Sequence, residues 1–214
     1  FILMKKDFKF PNKIPIFPLS NFIIFPNTTV PLNIFEPRYL NMTEDAIASN
    51  RLIGMIQPKT NHKEEPNLYS VGCVGKITHF TELQNQKYLI ELTGICRFQL
   101  LNHKLTSKEY LIACMNFKEY SSDIEYYKAE LNAGLKKYFL SSLKNYFDYQ
   151  KIDADWKIIE NAPTNLLINS LAQSCPFNKE EKQILLESRD LNDLTNIMIT
   201  LFKIYSAGET KNLN

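Results

Sequence analysis

The chain has no long apolar run, no strong charge of either sign and no cysteine pair at metal-binding spacing. Each absence removes a class of function. No apolar stretch approaches the roughly twenty residues that a membrane-spanning helix needs. The formal net charge is +2 over 214 residues. There is thus no broad positive field to neutralise phosphates, which argues against nucleic acid as the main partner. Four cysteines, Cys73, Cys96, Cys114 and Cys175, are scattered without a C-x-x-C pair. Three of them stand among strand-like residues, where cysteine acts as a small buried hydrophobe. No disulfide framework is expected, and a reducing cytoplasm is the expected setting. Lys5 and Lys6 are not followed by an apolar segment, so no secretory signal is expected. Residues 1–3 ahead of Met4 fit a cloning remnant or part of a longer chain.

Catalytic chemistry is equally thin. His62, His79 and His103 are single and widely separated, with no Cys or carboxylate at ligand spacing, so no metal site is expected. A thiol–imidazole pair can be drawn from the strand cysteines and His79 or His103, but separate core and surface residues are the simpler reading. Glu64-Glu65 and Glu180-Glu181 fall in a loop and a first helical turn, where they serve solvation and the helix dipole. Gly72-Cys73-Val74-Gly75-Lys76-Ile77 is the nearest approach to a phosphate-binding loop. It has two residues between its glycines where four are needed, and Ile77 where Ser or Thr must reach magnesium. The better reading is a strand whose glycines allow close backbone packing. The expectation is a protein without catalytic residues, metal or cofactor.

What is present is organised around Val30 to Leu40. Val30, Leu32 and Ile34 alternate with Pro31, Asn33 and Phe35 in the period of a short strand. Pro31 belongs at the strand's start or on an edge, because it cannot donate to a ladder. Glu36-Pro37 then switches the chain to a helix, with Pro37 at the first position, where a missing N–H is harmless. That helix runs to about Ser49, with Leu40, Thr43, Ala46 and Ile47 on one side and Glu44 and Asp45 outward.

Strands are expected at 14–17, 22–25 and 52–56, a solvated loop at 60–67, and three long strands at 69–83, 87–101 and 105–120. Gln84-Asn85-Gln86 reads as a hairpin turn, and Gly94 as a bulge in a sheet that bends round on itself. Many strands with one short helix suggest a small barrel, since closure removes exposed edges. The period changes at Ser121. Ser122 and Glu125 form a capping-box pattern ahead of a helix to about Tyr146 through Tyr127, Leu131, Leu135, Tyr138 and Ser142. Asp153 is expected to cap a short helix carrying Trp156 and Ile159. Pro163 starts a helix that Pro176 ends, with Leu167, Ile168 and Leu171 inward. Asn178 and Glu181 make a cap-like pair, and Asp190 opens a last helix with Leu191, Leu194, Met198, Leu201 and Tyr205 in a stripe stopped by Gly208. The expected organisation is a β-rich domain over 1–120 and a helical bundle over 121–214, an α+β fold without internal repeat or low-complexity linker.

Three linked motifs in order, Ile14-Pro15-Ile16-Phe17-Pro18-Leu19, Phe25-Pro26 and Pro31 to Tyr39, resemble the opening of the Lon-protease N-terminal (substrate-binding) domain family. Val71 to Ile77, Leu92 to Phe98 and Pro176 to Glu187 are similar to later motifs of that family, so the resemblance covers nearly the whole chain. The turn at Gln84-Asn85-Gln86-Lys87 departs from the Asp-Gly-Arg type common in relatives. The resemblance implies a PUA-like β pseudo-barrel followed by a helical bundle. It implies a free-standing, non-enzymatic module, without ATPase or Ser–Lys peptidase, that binds unfolded or extended polypeptide or a protein partner and acts as an adaptor or substrate binder in proteolysis. The candidate binding residues are Phe35, Glu36, Arg38, Tyr39 and Met55. Phe35 and Tyr39 would present rings, Arg38 would meet a carboxylate, and Met55 would adapt to varied side chains. The competing reading makes Glu36–Arg38 an ion pair that fixes the turn, with Phe35 buried beneath the helix. The alternatives are an RNA-binding PUA relative, stacking bases on Phe80, Tyr88 or Phe98, and an assembly protein whose helical half docks one folded partner.

Overall fold

A computed structural model describes residues 10–59, 67–128 and 130–207, with side chains left out over 125–128. Expectations for 60–66, including the Glu64-Glu65 pair, for His62, for Gly208 and for the side chains of Glu125 and Tyr127 lie outside the described residues. Six strands form one mixed sheet: β1 (Lys13–Pro18), β2 (Thr29–Ile34), β3 (Leu52–Pro58), β4 (Leu68–Leu83), β5 (Lys87–Leu105) and β6 (Leu111–Asn116). The order is β2-β5-β4-β3-β1-β6, and β6 also pairs with β5. That second pairing closes β5, β4, β3, β1 and β6 into a ring and leaves β2 outside it as an edge strand. Only β1 and β3 run parallel. Pro31 lies in β2, the position that its missing donor requires.

The ring turns tightly where side chains are absent. A Cβ on Gly94 would come within 2.0 Å of the Phe25 carbonyl oxygen. Only glycine lets the segment before β2 lie against β5, where Asn27 donates to the Gly94 carbonyl and Gly94 donates to that of Thr28, both at 2.9 Å. The register slips by one residue between Val74↔Cys96 and Gly75↔Gly94, which is the bulge expected there. A Cβ on Gly72 would meet the Met55 carbonyl oxygen and Phe98 Cζ, each at 2.5 Å, so the glycines of this stretch serve packing. The Gln84 to Gln86 turn carries positive φ at Asn85 and Gln86.

Helix α1 (Pro37–Ile47) packs on the ring, and α2 (Ala133–Gln150), α3 (Trp156–Asn161), α4 (Thr164–Ser174), α5 (Lys179–Leu186) and α6 (Leu191–Ser206) follow the last strand. Asn178 and Glu181 form a full capping box on α5, and Asp190 caps α6 by accepting from the Asp193 N–H. Leu191, Leu194, Met198 and Leu201 are all buried. The buried side chains of strands and helices run together in one cluster, from Ile14 to Phe202.

Several boundaries differ from the expectation. Residues 22–25 are not a strand. Ile23, Ile24 and Phe25 are buried, but the Phe25 N–H is taken by Thr28 Oγ1 and Gln173 Oε1 rather than by a ladder. The run 105–120 is split: Leu105 ends β5, a turn with Glu109 at positive φ intervenes, and β6 covers only 111–116. Ser121–Lys128 is a 3-10 helix, and α2 starts at Ala133 with Asn132 as its cap. Asp155, not Asp153, caps α3, accepting from the N–H groups of Lys157 and Ile158. The inner face of α1 is Tyr39, Met42, Thr43 and Ala46. Leu40 and Ile47 are half-buried and pack against the same core at the margins of this face, whose centre is Tyr39 and Met42.

Candidate functional site

The strand-to-helix switch brings four of the five candidate residues to one corner. Glu36 is the N-cap of α1 in extended conformation, but its side chain does not cap. Its carboxylate instead takes two N–H groups from Arg38, Nε at 3.0 Å and a terminal nitrogen at 2.8 Å. The Arg38 guanidinium carbon lies 4.5 Å from the centre of the Tyr39 ring. Tyr39 turns inward, where its ring meets Phe17 at 4.2 Å between centroids. Burial raises its phenol pKa, Arg38 opposes that rise and Glu36 adds to it. Phe35 points the other way, the parity of Pro31 and Asn33, and is 61% exposed. It is not buried beneath the helix. Met55 stands elsewhere, in β3 beside Phe17 of β1 and Cys73 of β4, and is 1% exposed. The corner therefore offers an uncovered phenyl ring beside a fixed ion pair, with a tyrosine as its floor.

Two further contacts hold α1 in place. Tyr88 donates to Glu44 at 2.6 Å, and that bond is the main reason its pKa is pushed up to about 12. Asp45 accepts from Lys108 at 2.7 and 2.9 Å and from the Tyr110 hydroxyl at 2.9 Å, which hold its carboxyl below the usual range. Although the sequence pattern turns both acids toward solvent, Glu44 reaches back to β5 and Asp45 to the turn between β5 and β6.

A second arginine arrangement was not singled out from the sequence. Arg97 of β5 gives Nε and a terminal nitrogen to the two oxygens of Asp123 at 2.9 and 2.8 Å. Its other terminal nitrogen donates to the carbonyls of Leu186 and Ser188 at 3.2 and 2.6 Å. Side-chain exposures of the pair are 6% and 1%. Burial works against the Arg97 charge, and the Asp123 carboxylate more than offsets it, so its pKa is raised. The only signal in the sequence was an arginine inside an otherwise apolar strand, Ile95 to Phe98.

Cys73, Cys96 and Cys175 are free and buried. Burial pushes their thiols up, that of Cys175 to about 12, so they stay protonated and unreactive near neutral pH. His79 does find a carboxylate, Glu91 across the ladder at 2.7 Å, in an exposed position. Among the described residues no three of His, Cys, Asp and Glu gather to hold a metal ion, and no helix is long and apolar enough to cross a membrane. Of the three aromatics considered for base stacking, Phe98 is fully buried, and Phe80 packs edge-on against Tyr88.

A strand ring with helices packed against it and an uncovered aromatic at one corner defines a small α+β domain that presents surface. The chain belongs to the family described as the ATP-dependent protease La (LON) substrate-binding domain, whose model matches residues 13–203. The match falls on that domain and not on the ATPase or peptidase modules. The chain is 24% identical over 205 residues to Lon protease 2 of Myxococcus xanthus, covering 94% of this chain and 24% of that protein. It is 34% identical over 93 residues to Lon protease 2 of Sorangium cellulosum, covering 42% of this chain and 12% of that protein. The chain thus spans about a quarter or less of the length of these curated relatives. The fold is shared with the crystal structure of a Lon N-terminal domain protein from Xanthomonas campestris: TM-score 0.62, 18% identity, 89% of this chain and 97% of that one. It is also shared with the N-terminal domain of Mycobacterium avium complex Lon protease: TM-score 0.63, 15% identity, 92% and 98%.

Proposed function

We propose that this chain is a non-enzymatic polypeptide-binding module that holds unfolded or extended segments at the Phe35 corner and serves proteolysis as a substrate binder or adaptor. The observation that carries the reading is the exposed Phe35 ring beside the fixed Glu36–Arg38 pair, in a family described as substrate-binding. An apolar side chain of the incoming segment packs on Phe35, and Arg38 supplies a charge-assisted donor to a carboxylate or main-chain carbonyl. Tyr39 holds Arg38 in position from below. Met55 has no surface to offer, so its part is to fill the core. Buried free thiols suit a reducing compartment, and we place the work in the cytoplasm.

The test is fluorescence anisotropy of a labelled, permanently unfolded protein titrated with the chain. Saturable binding is expected, weakened about tenfold, or 1.4 kcal/mol, by Phe35→Ser with an unchanged denaturation midpoint. No binding by the unaltered chain overturns the reading; equal binding by the variant moves the site elsewhere.

A further inference from the structure

Strands β4 and β5 are partners from Leu83↔Lys87 at their hairpin to Val71↔Gln99, where the ladder stops. Both strands go on, β4 back to Leu68 and β5 forward to Leu105. Gln99 is the branch point, facing Val71 on one side and Asn116 of β6 on the other. Beyond it β5 follows β6, while β4 stays with β3 through Leu68↔Pro58. The edges that look at each other across the gap, residues 68–70 and 100–105, have no ladder partner there among the described residues.

Between these edges lies a cleft of about 300 Å³. Its lining includes Lys59, Tyr69, Ser70, Leu101 and His103 and, among the described residues, no Asp or Glu. The Lys59 ammonium sits 5.7 Å from the centre of the Tyr69 ring. Leu101 is the extra residue of a bulge in β5, His103 and Leu105 beyond it share one face by the two-residue period, and the two leucines are 59% and 61% exposed. Proteins normally guard an open strand edge with charge, proline, a bulge or a covering element. Here the β5 edge carries a bulge between Leu100 and Asn102 and the exposed Lys104, yet it adjoins exposed leucines, and among the described residues the charged side chain in the lining, Lys59, is basic. Main-chain pairing supplies affinity for an added strand, and side-chain pockets supply preference. A segment complementary to this lining brings a carboxylate to Lys59 and an apolar group to Leu101.

We propose that the cleft between the diverging β4 and β5 edges binds an extended polypeptide segment carrying acidic beside apolar side chains, its main chain pairing with the open edge of β5. The proposal rests on the polypeptide-binding reading above but uses a surface separate from the Phe35 corner, which adjoins the other half of β5 through Ile34↔Tyr88.

The test is anisotropy of a fluorescein-labelled ten-residue peptide alternating Glu with Val, its ends capped, titrated with the full chain. Saturable binding is expected, at least tenfold weaker for Lys59→Glu at an unchanged melting temperature. The loss should be of the same order when Glu is replaced by Gln in the peptide, and larger when alternate peptide nitrogens are methylated. Equal affinity for the Lys59→Glu variant or for the methylated peptide overturns the proposal. A dimer seen by sedimentation and dissolved by Leu101→Asp gives the cleft to a second copy and also overturns it. The labelled unfolded protein is titrated alongside. If it binds while the peptide is silent, only the cleft proposal falls; silence from both removes the reading on which it rests.

Discussion

Arg38 and Arg97 make the same three-part arrangement in two different places. Each grips a carboxylate with two nitrogens, Glu36 in one case and Asp123 in the other, and each lies 4.5 Å from the centre of a tyrosine ring, Tyr39 or Tyr120. The surroundings differ. The first pair joins residues two apart and keeps side-chain exposures of 36% and 45%. The second joins β5 to the 3-10 helix and the α5–α6 turn, with both partners nearly sealed. In a low-dielectric setting an ion pair with every donor satisfied costs much to break, whereas near water it contributes little. One chemistry thus serves as a lock between strands and helices and, at the Phe35 corner, as a positioned but accessible contact.

The largest effect should come from opening the lock. Asp123→Ala leaves a buried guanidinium unpaired and is expected to cost about 3–5 kcal/mol. Trp156, the single tryptophan, lies in α3, so its fluorescence in urea reports the helical part. An unmoved Trp156 midpoint would mean that the lock does not tie the two parts together. Next comes the floor of the exposed arrangement: Tyr39→Ser empties a buried ring site and should cost about 3 kcal/mol or slightly more. Phe35→Ser, one residue before Glu36, should stay within about 0.5 kcal/mol. Similar midpoints for the two variants would erase the distinction between floor and surface. Arg38→Ala is expected to change stability by less than about 1 kcal/mol, while the salt dependence of unfolded-protein binding flattens; a drop as large as that of Asp123→Ala would make the two pairs equivalent after all.

The smallest effect is a titration. Tyr39 has a folded pKa raised by burial and held back by Arg38. A raised tyrosine keeps its contribution to stability below its unfolded pKa, about 10, and loses it as pH rises through the folded value. Arg38→Ala should move Tyr39 ionisation further upward, read by absorbance at 295 nm against a Tyr39→Phe reference. A downward shift would mean that losing the Arg38 side chain uncovers the ring, so that burial rather than charge sets the shift.

The sequence revealed the elements whose signals are local. Pro37 at a helix start, the Asn178–Glu181 box, the Asp190 cap and the alternation of β2 each follow from a few neighbouring residues. It misled where tertiary partners decide. Residues 22–25 look like a strand, but Thr28 and Gln173 take the Phe25 N–H. Ser122 and Glu125 look like a cap, while Asp123 between them is drawn inward to Arg97 and the chain coils as a 3-10 helix. The corner was half legible. Strand parity puts Phe35 outside, but the buried state of Tyr39 follows from where α1 lies against Phe17, which no local pattern carries.

The closure of the strand ring also sets a schedule. Ile14 of β1 waits for Ala113 of β6, the partner that completes the circle. At about 5–20 residues per second of synthesis, the roughly hundred residues between them take some 5–20 seconds to appear. Until then β1 has β3 as a strand partner and α1 packed on Phe17 through Tyr39, and the edge of β1 that takes β6, at Ile14 and Ile16, stays unpaired.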